Sequence, residues 1–159
     1  MRKRILSALC IALLVFSIPF FPAGRVQAAD VPVLDGSRLT HEDESVGYDT
    51  KLTRGVDLLT GYSKVVRLGP GKIYAGGTTI ATDVVDRIKV VVIVERAQEG
   101  DTEWEFYDTW RKENENADRV GSNKTLLVEG GYYYRTRCLH SANQDVSSSF
   151  TNGVYVEDP

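Results

Sequence analysis

From Val56 onward, apolar and polar residues alternate in short runs parted by glycine, proline, aspartate and asparagine. A period of two punctuated by turn formers predicts strands. The strongest run is Arg87-Ile88-Lys89-Val90-Val91-Val92-Ile93-Val94-Glu95-Arg96. Its β-branched side chains disfavour a helix and suit a pleated sheet. A second run follows the turn at Gly130-Gly131. There, alternation puts Tyr132, Tyr134, Thr136 and Cys138 on one face and Tyr133, Arg135 and Arg137 on the other. Weaker runs cover residues 56–68, 73–80, 104–110, 126–128 and 154–156. Gly69-Pro70-Gly71 marks a turn, and Thr82-Asp83 begins a connection. Gly76-Gly77 within a strand predicts a bulge or a close backbone approach. Residues 112–123 and 141–149 are polar and read as loops.

This rhythm gives about seven strands in about a hundred residues, the count of an immunoglobulin- or fibronectin-like β-sandwich. The domain is expected over residues 54–159, with an open barrel or jelly roll as the other topology that this strand count allows. Tyr132, entering the sixth strand after the Gly-Gly turn, is the candidate for a corner tyrosine that bonds back to the preceding connection. Residues 29–53 show neither period, and they carry the acidic run Glu42-Asp43-Glu44. They read as a disordered acidic linker.

The first 28 residues are an address. Arg2, Lys3 and Arg4 precede an apolar run from Ile5 to Phe21, and Val26-Gln27-Ala28 offers small residues at the peptidase positions. This predicts a signal peptide cleaved after Ala28 and a secreted product with no membrane association after cleavage. The chain has 19 basic and 22 acidic residues; loss of Arg2, Lys3, Arg4 and Arg25 leaves 15 against 22, a net charge of −7. That acidity argues against a nucleic-acid partner. Cys10 leaves with the leader, so Cys138 has no partner within the mature chain and is expected to be buried.

Several short pieces together carry a resemblance. They are Thr53-Arg54-Gly55, Leu59-Thr60-Gly61-Tyr62-Ser63, Val94-Glu95-Arg96, Gly130-Gly131-Tyr132-Tyr133-Tyr134-Arg135-Thr136-Arg137, His140-Ser141 and Ser149-Phe150-Thr151-Asn152-Gly153. Over residues 53–157 the chain resembles a family of small secreted all-β domains of unknown function from Gram-positive, clostridia-like bacteria. The resemblance implies export and an all-β fold. It implies no catalytic residues, and Cys138 stands where a smaller residue is expected.

The chain has no His-Glu-x-x-His, Gly-x-Ser-x-Gly or phosphate-cradling glycine loop. Asp83, Asp86 and Asp101 sit at separate turns without calcium-loop spacing. No metal or cofactor is therefore expected. The one enzymatic idea is a hydrolytic Cys138–His140 pair, neighbours on one strand face. A thiol on an inward aromatic face predicts an inert structural pair instead. A tryptophan platform for carbohydrate would need exposure of Trp110, since Trp104 alternates with Phe106 toward the core.

The preferred reading is a non-enzymatic binding domain for a protein or glycan outside the cell. Its expected surface is the outward face of the third, fourth and sixth strands: Lys89, Val91 and Ile93, Tyr107 and Arg111, with Tyr133, Arg135 and Arg137. Tyrosine, arginine and aliphatics on a flat sheet compose a recognition patch. Cross-strand pairing alone would also use such residues. A small secreted effector (toxin, inhibitor or immunity factor) released by trimming the acidic segment is the alternative function.

Overall fold

The computed structural model describes residues 31–32, 35–49 and 55–159. The expected signal peptide lies outside the described residues. The fold is all-β, as the alternation predicts. Among the described residues there are nine strands: β1 (Val31–Pro32), β2 (Arg38–Thr40), β3 (Glu44–Tyr48), β4 (Leu58–Gly69), β5 (Lys72–Ala97), β6 (Glu105–Leu127), β7 (Tyr132–Ala142), β8 (Asp145–Phe150) and β9 (Gly153–Val156). They form one sheet in the order β1-β2-β9-β7-β5-β4-β3, with β6 added to β5 and β8 to β7. Every pairing is antiparallel except the short parallel match of β2 with β9.

β5 organises the sheet. A straight strand of its 26 residues would run about 85 Å, far longer than a domain of this size. It bends instead. β6 follows one edge of β5 throughout, while the other edge is divided between β4 at Lys72–Ala81 and β7 at Ile88–Ala97. The bend lies where the register slips, between Ile80 opposite Arg119 and Val85 opposite Ala117. Thr82 anchors it by donating from its backbone to Asp57 and from its hydroxyl to Val56. Across the bend, Asn116 takes a left-handed φ of 50°, which asparagine tolerates better than most residues.

The bent hairpin brings β4 face to face with β7, and the core fills the space between. Ile88, Val90, Val92 and Val94 of β5 are fully buried and alternate with Lys89, Val91 and Ile93 outside. Each buried aliphatic of this kind stabilises by about 1.5–3 kcal/mol relative to exposure. Gly61 and Gly77 permit the close approach. A Cβ on Gly61 would lie 2.3 Å from the His140 ring, and one on Gly77 would lie 2.3 Å from the Cys138 sulfur. On the β6 side the two halves meet through side chains. Lys124 reaches Asp108 at 3.7 Å and stands over the Trp110 ring at 4.5 Å, and Tyr107 donates to the Leu127 carbonyl.

The structure corrects five expectations. Two long strands, β5 and β6, replace four of the expected short ones. Residues 112–123 are strand, not loop. Among the described residues β6 pairs only with β5, so it needs few apolar residues. Its inner side is served by Trp110, Ala117 and Val120, and charges occupy the edge, where they discourage association. The expected loop 141–149 contains β8. The described part of the expected linker is built into the sheet: β2 joins one half through β9, and β3 joins the other through β4. Residues 35–48 thus form a strap across both halves. The corner tyrosine is Tyr134, not Tyr132. Tyr134 is fully buried, and its hydroxyl donates to the Glu129 carbonyl at 2.8 Å. Burial pushes that hydroxyl up to about 12. Tyr132 is half-buried, and the Arg96 guanidinium lies 4.5 Å above its ring.

Replacing Tyr134 by Phe should therefore cost about 1 kcal/mol, the worth of one buried hydrogen bond. Tyr132→Phe should cost less; urea midpoints for the two variants check the order. A chain beginning at residue 54 should lose at least about 2 kcal/mol, because Leu39 alone is 5% exposed in its site. Equal urea midpoints for chains beginning at 29 and 54 would refute the strap's role.

Candidate functional site

The expected third, fourth and sixth strands do share one half of the sheet, as the second half of β5, the first half of β6, and β7. Their outward side chains line up in rows across the strands. Arg111, Val91, Leu139 and Ser148 form one row from β6 to β8. Glu113, Lys89, Ser141 and Val146 form the next, and Thr109, Ile93, Arg137 and Phe150 the one beyond. Val91, Leu139 and Val146 floor a groove of about 570 Å³ edged by Lys89, Ser141 and Ser148. Leu139 is 43% exposed and Val146 60%, high values for aliphatics on a regular sheet face.

Five of the eight expected binding residues, Lys89, Val91, Ile93, Arg111 and Arg137, stand on this face. Three do not serve as expected. Tyr107 lies at the register shift between Val94 and Glu95, which turns it to the core side. Its ring packs edge-on against Tyr134 at 5.4 Å. Phe106 takes the outward position opposite Glu95 and is exposed, where the sequence pattern placed it in the core. Tyr133 and Arg135 do point outward, but they are 6% and 4% exposed. The strap covers them. Leu39 packs with Tyr133, and the Tyr133 hydroxyl lies 3.2 Å from the His41 ring nitrogen.

Arg135 is held from every side. Its Nε donates to Glu95 at 2.7 Å, and its Nη1 donates to Ser37 at 3.0 Å and to Asp35. Its guanidinium lies 4.5 Å from the Trp104 ring and 5.4 Å from Phe150. Trp104 in turn donates to the Ser37 hydroxyl. Glu95 is shared, since its other oxygen accepts from Arg137 at 2.7 Å. Burial alone would raise the Asp35 carboxyl. The Ser37 hydrogen bonds and the Arg135 guanidinium outweigh it and hold Asp35 below the usual range. A paired and hydrogen-bonded charge cluster of this kind fixes geometry more than it adds stability. It locks the strap and leaves only the half-exposed Arg137 at the open face.

Cys138 and His140 lie on the opposite, inward face, at 0% and 1% exposure. Burial raises the Cys138 thiol to about 12, far from a thiolate at neutral pH. The Thr79 hydroxyl donates to the Lys89 carbonyl, so it accepts from His140 Nδ1, 2.9 Å away. His140 Nε2 then accepts from Ser149 at 2.8 Å. Both ring nitrogens are satisfied in the neutral form, and burial lowers the imidazole to about 4. The pair stitches β5, β7 and β8 together in the core. Trp110 also faces inward, packed on the core and half-buried, with Lys124 over its ring. Among the described residues no cluster of histidine, cysteine or carboxylates has a metal-holding arrangement.

The sequence pattern missed Leu139 and Val146. Extending the β7 alternation past Cys138 would have placed Leu139 outward beside Arg137. Val146 carries no comparable signal, being one aliphatic among serines. Comparison with protein-family models, curated proteins and solved structures gives no match to this chain.

His140 sets a pH dependence. Its folded value, about 4, lies below the ordinary 6.5, so the unfolded chain binds the proton first as pH falls. Stability should be complete above pH 6.5 and decline progressively toward pH 4, by on the order of 3 kcal/mol. Urea midpoints across that window check this. A His140→Gln variant with the wild type's slope would refute the assignment.

Proposed function

We propose that this chain is a secreted, non-enzymatic binding domain that docks a protein partner on the outward face of β5, β7 and β8. The carrying observation is the exposure of Leu139 and Val146 beside Val91 on neighbouring hydrogen-bonded strands, with β8 at the sheet's edge. Solvent-facing sheet positions are usually polar, and a contiguous apolar strip with a polar rim is the composition of an interaction surface. A pre-ordered backbone also limits the entropy lost on docking. Export is supported by the basic and apolar N-terminal pattern that ends at Ala28. An immunoglobulin-like arrangement of the curled sheet fits the facing of β4 and β7, with the strap and the shared β5 as departures from it.

The hydrolase reading loses its footing in the burial of Cys138 and His140. A thiol reagent should therefore react slowly with native Cys138 and faster in urea, and fast reaction of the native protein would restore the hydrolase reading. The effector reading needs release of residues 29–53, which would strip β2 and β3 from the sheet. A glycan platform would need an open aromatic face, and Trp110 turns inward.

Pull-downs from culture medium and cell-envelope extract test the proposal. The baits are the full chain and a Leu139→Ser, Val146→Ser variant. Both positions are exposed, so the variant should keep the wild-type urea midpoint. A partner retained by the wild type and lost by the variant is the expected result. Equal capture by both baits would refute this face.

A further inference from the structure

The cations around the apolar floor differ in how they are held. Arg137, at one end, is tied to Glu95. Lys89 and Arg111 are not tied. No described carboxylate lies within ion-pair distance of either, although Glu113 stands opposite Lys89 in the ladder. Arg111 is one strand spacing from Val91, about 4.8 Å, and Lys89 is two residues along the same strand, about 7 Å. Free positive charge therefore lies within one or two residue lengths of the apolar floor. This occurs on a chain whose net charge is −3 with the leader and −7 without it.

From this placement we infer that the docking segment is an acidic peptide stretch of another protein, with Asp or Glu one or two positions from aliphatic residues. The inference rests on the docking face argued above. Aliphatic side chains fill the groove over Val91, Leu139 and Val146. The neighbouring carboxylates meet Lys89 and Arg111, which contribute orientation and encounter rate more than affinity. Charge favours this occupant over two others. A second copy would bring the same two cations to the same strip across a two-fold axis. An anionic membrane is normally engaged by four to eight clustered basic residues, and it would repel the rest of an acidic chain. A narrow peptide touches the strip alone.

Selection of random short peptides displayed on phage tests this, with the full chain as bait. Peptides that carry acids beside aliphatics should be enriched. They should bind a Lys89→Glu, Arg111→Glu variant about ten-fold more weakly, the effect of two exposed charge pairs reversed, and bind less at high salt. Enriched peptides without acids that still require Leu139 would overturn the acidic assignment and leave the docking face standing. Enrichment indifferent to both Leu139→Ser and the charge reversal would overturn the face as well. Two parallel measurements cover the other occupants. Lys89-dependent sedimentation with phosphatidylglycerol vesicles would overturn the peptide in favour of lipid. A dimer broken by Leu139→Ser would overturn it in favour of a second copy.

Discussion

One strand belongs to both halves of this molecule, and the structure follows from how it bends. β5 cannot run straight through so small a domain, yet β6 pairs with it from end to end. The hairpin must therefore turn as a unit at residues 81–85 and at Asn116. Once it does, β4 and β7 are forced onto the same edge of β5 at different heights and then onto each other's faces. The core is the space that this leaves. Gly61 and Gly77 matter because backbone from one half meets Cys138 and His140 from the other, and a methyl group at either glycine would collide.

The strap is the second constraint. It carries the parallel β2 strand and the antiparallel β3 strand to opposite halves and locks down through Asp35, Ser37 and Leu39. Its pairings are short, so the buried Arg135 cluster does much of the holding. Glu95 links that cluster to Arg137 at the border of the open groove. The covered and open parts of the outward face thus share one carboxylate. This physical layout limits the proposed docking surface to the part around Val91, Leu139 and Val146.

Polar chemistry in the core has a structural logic of its own. His140 is neutral because its nitrogens are bonded in the one tautomer that Thr79 permits. Cys138 is protonated because nothing nearby compensates a buried thiolate. A pair that adjacency in sequence made attractive for catalysis becomes, in three dimensions, a staple between strands.

Local periodicity determined the all-β class, the places of β4, β7 and β9, and the facing of every residue in the second half of β5 and most of β7. Those features depend on side chains alternating along a single strand, so the sequence carries them directly. It also carried Lys89, Val91, Ile93, Arg111 and Arg137 onto one face. Tertiary structure decided the rest. Tyr133 and Arg135 face outward as alternation requires, but Asp35, Ser37 and Leu39, about a hundred residues away in the chain, cover them. Tyr107 left the face through a one-residue register slip that no periodicity announces. Residues 112–123 became a strand because β5 offered them an edge, not because of their own preference. Burial is settled by whatever packs on top, and in this fold the cover comes from the stretch with the weakest pattern of all.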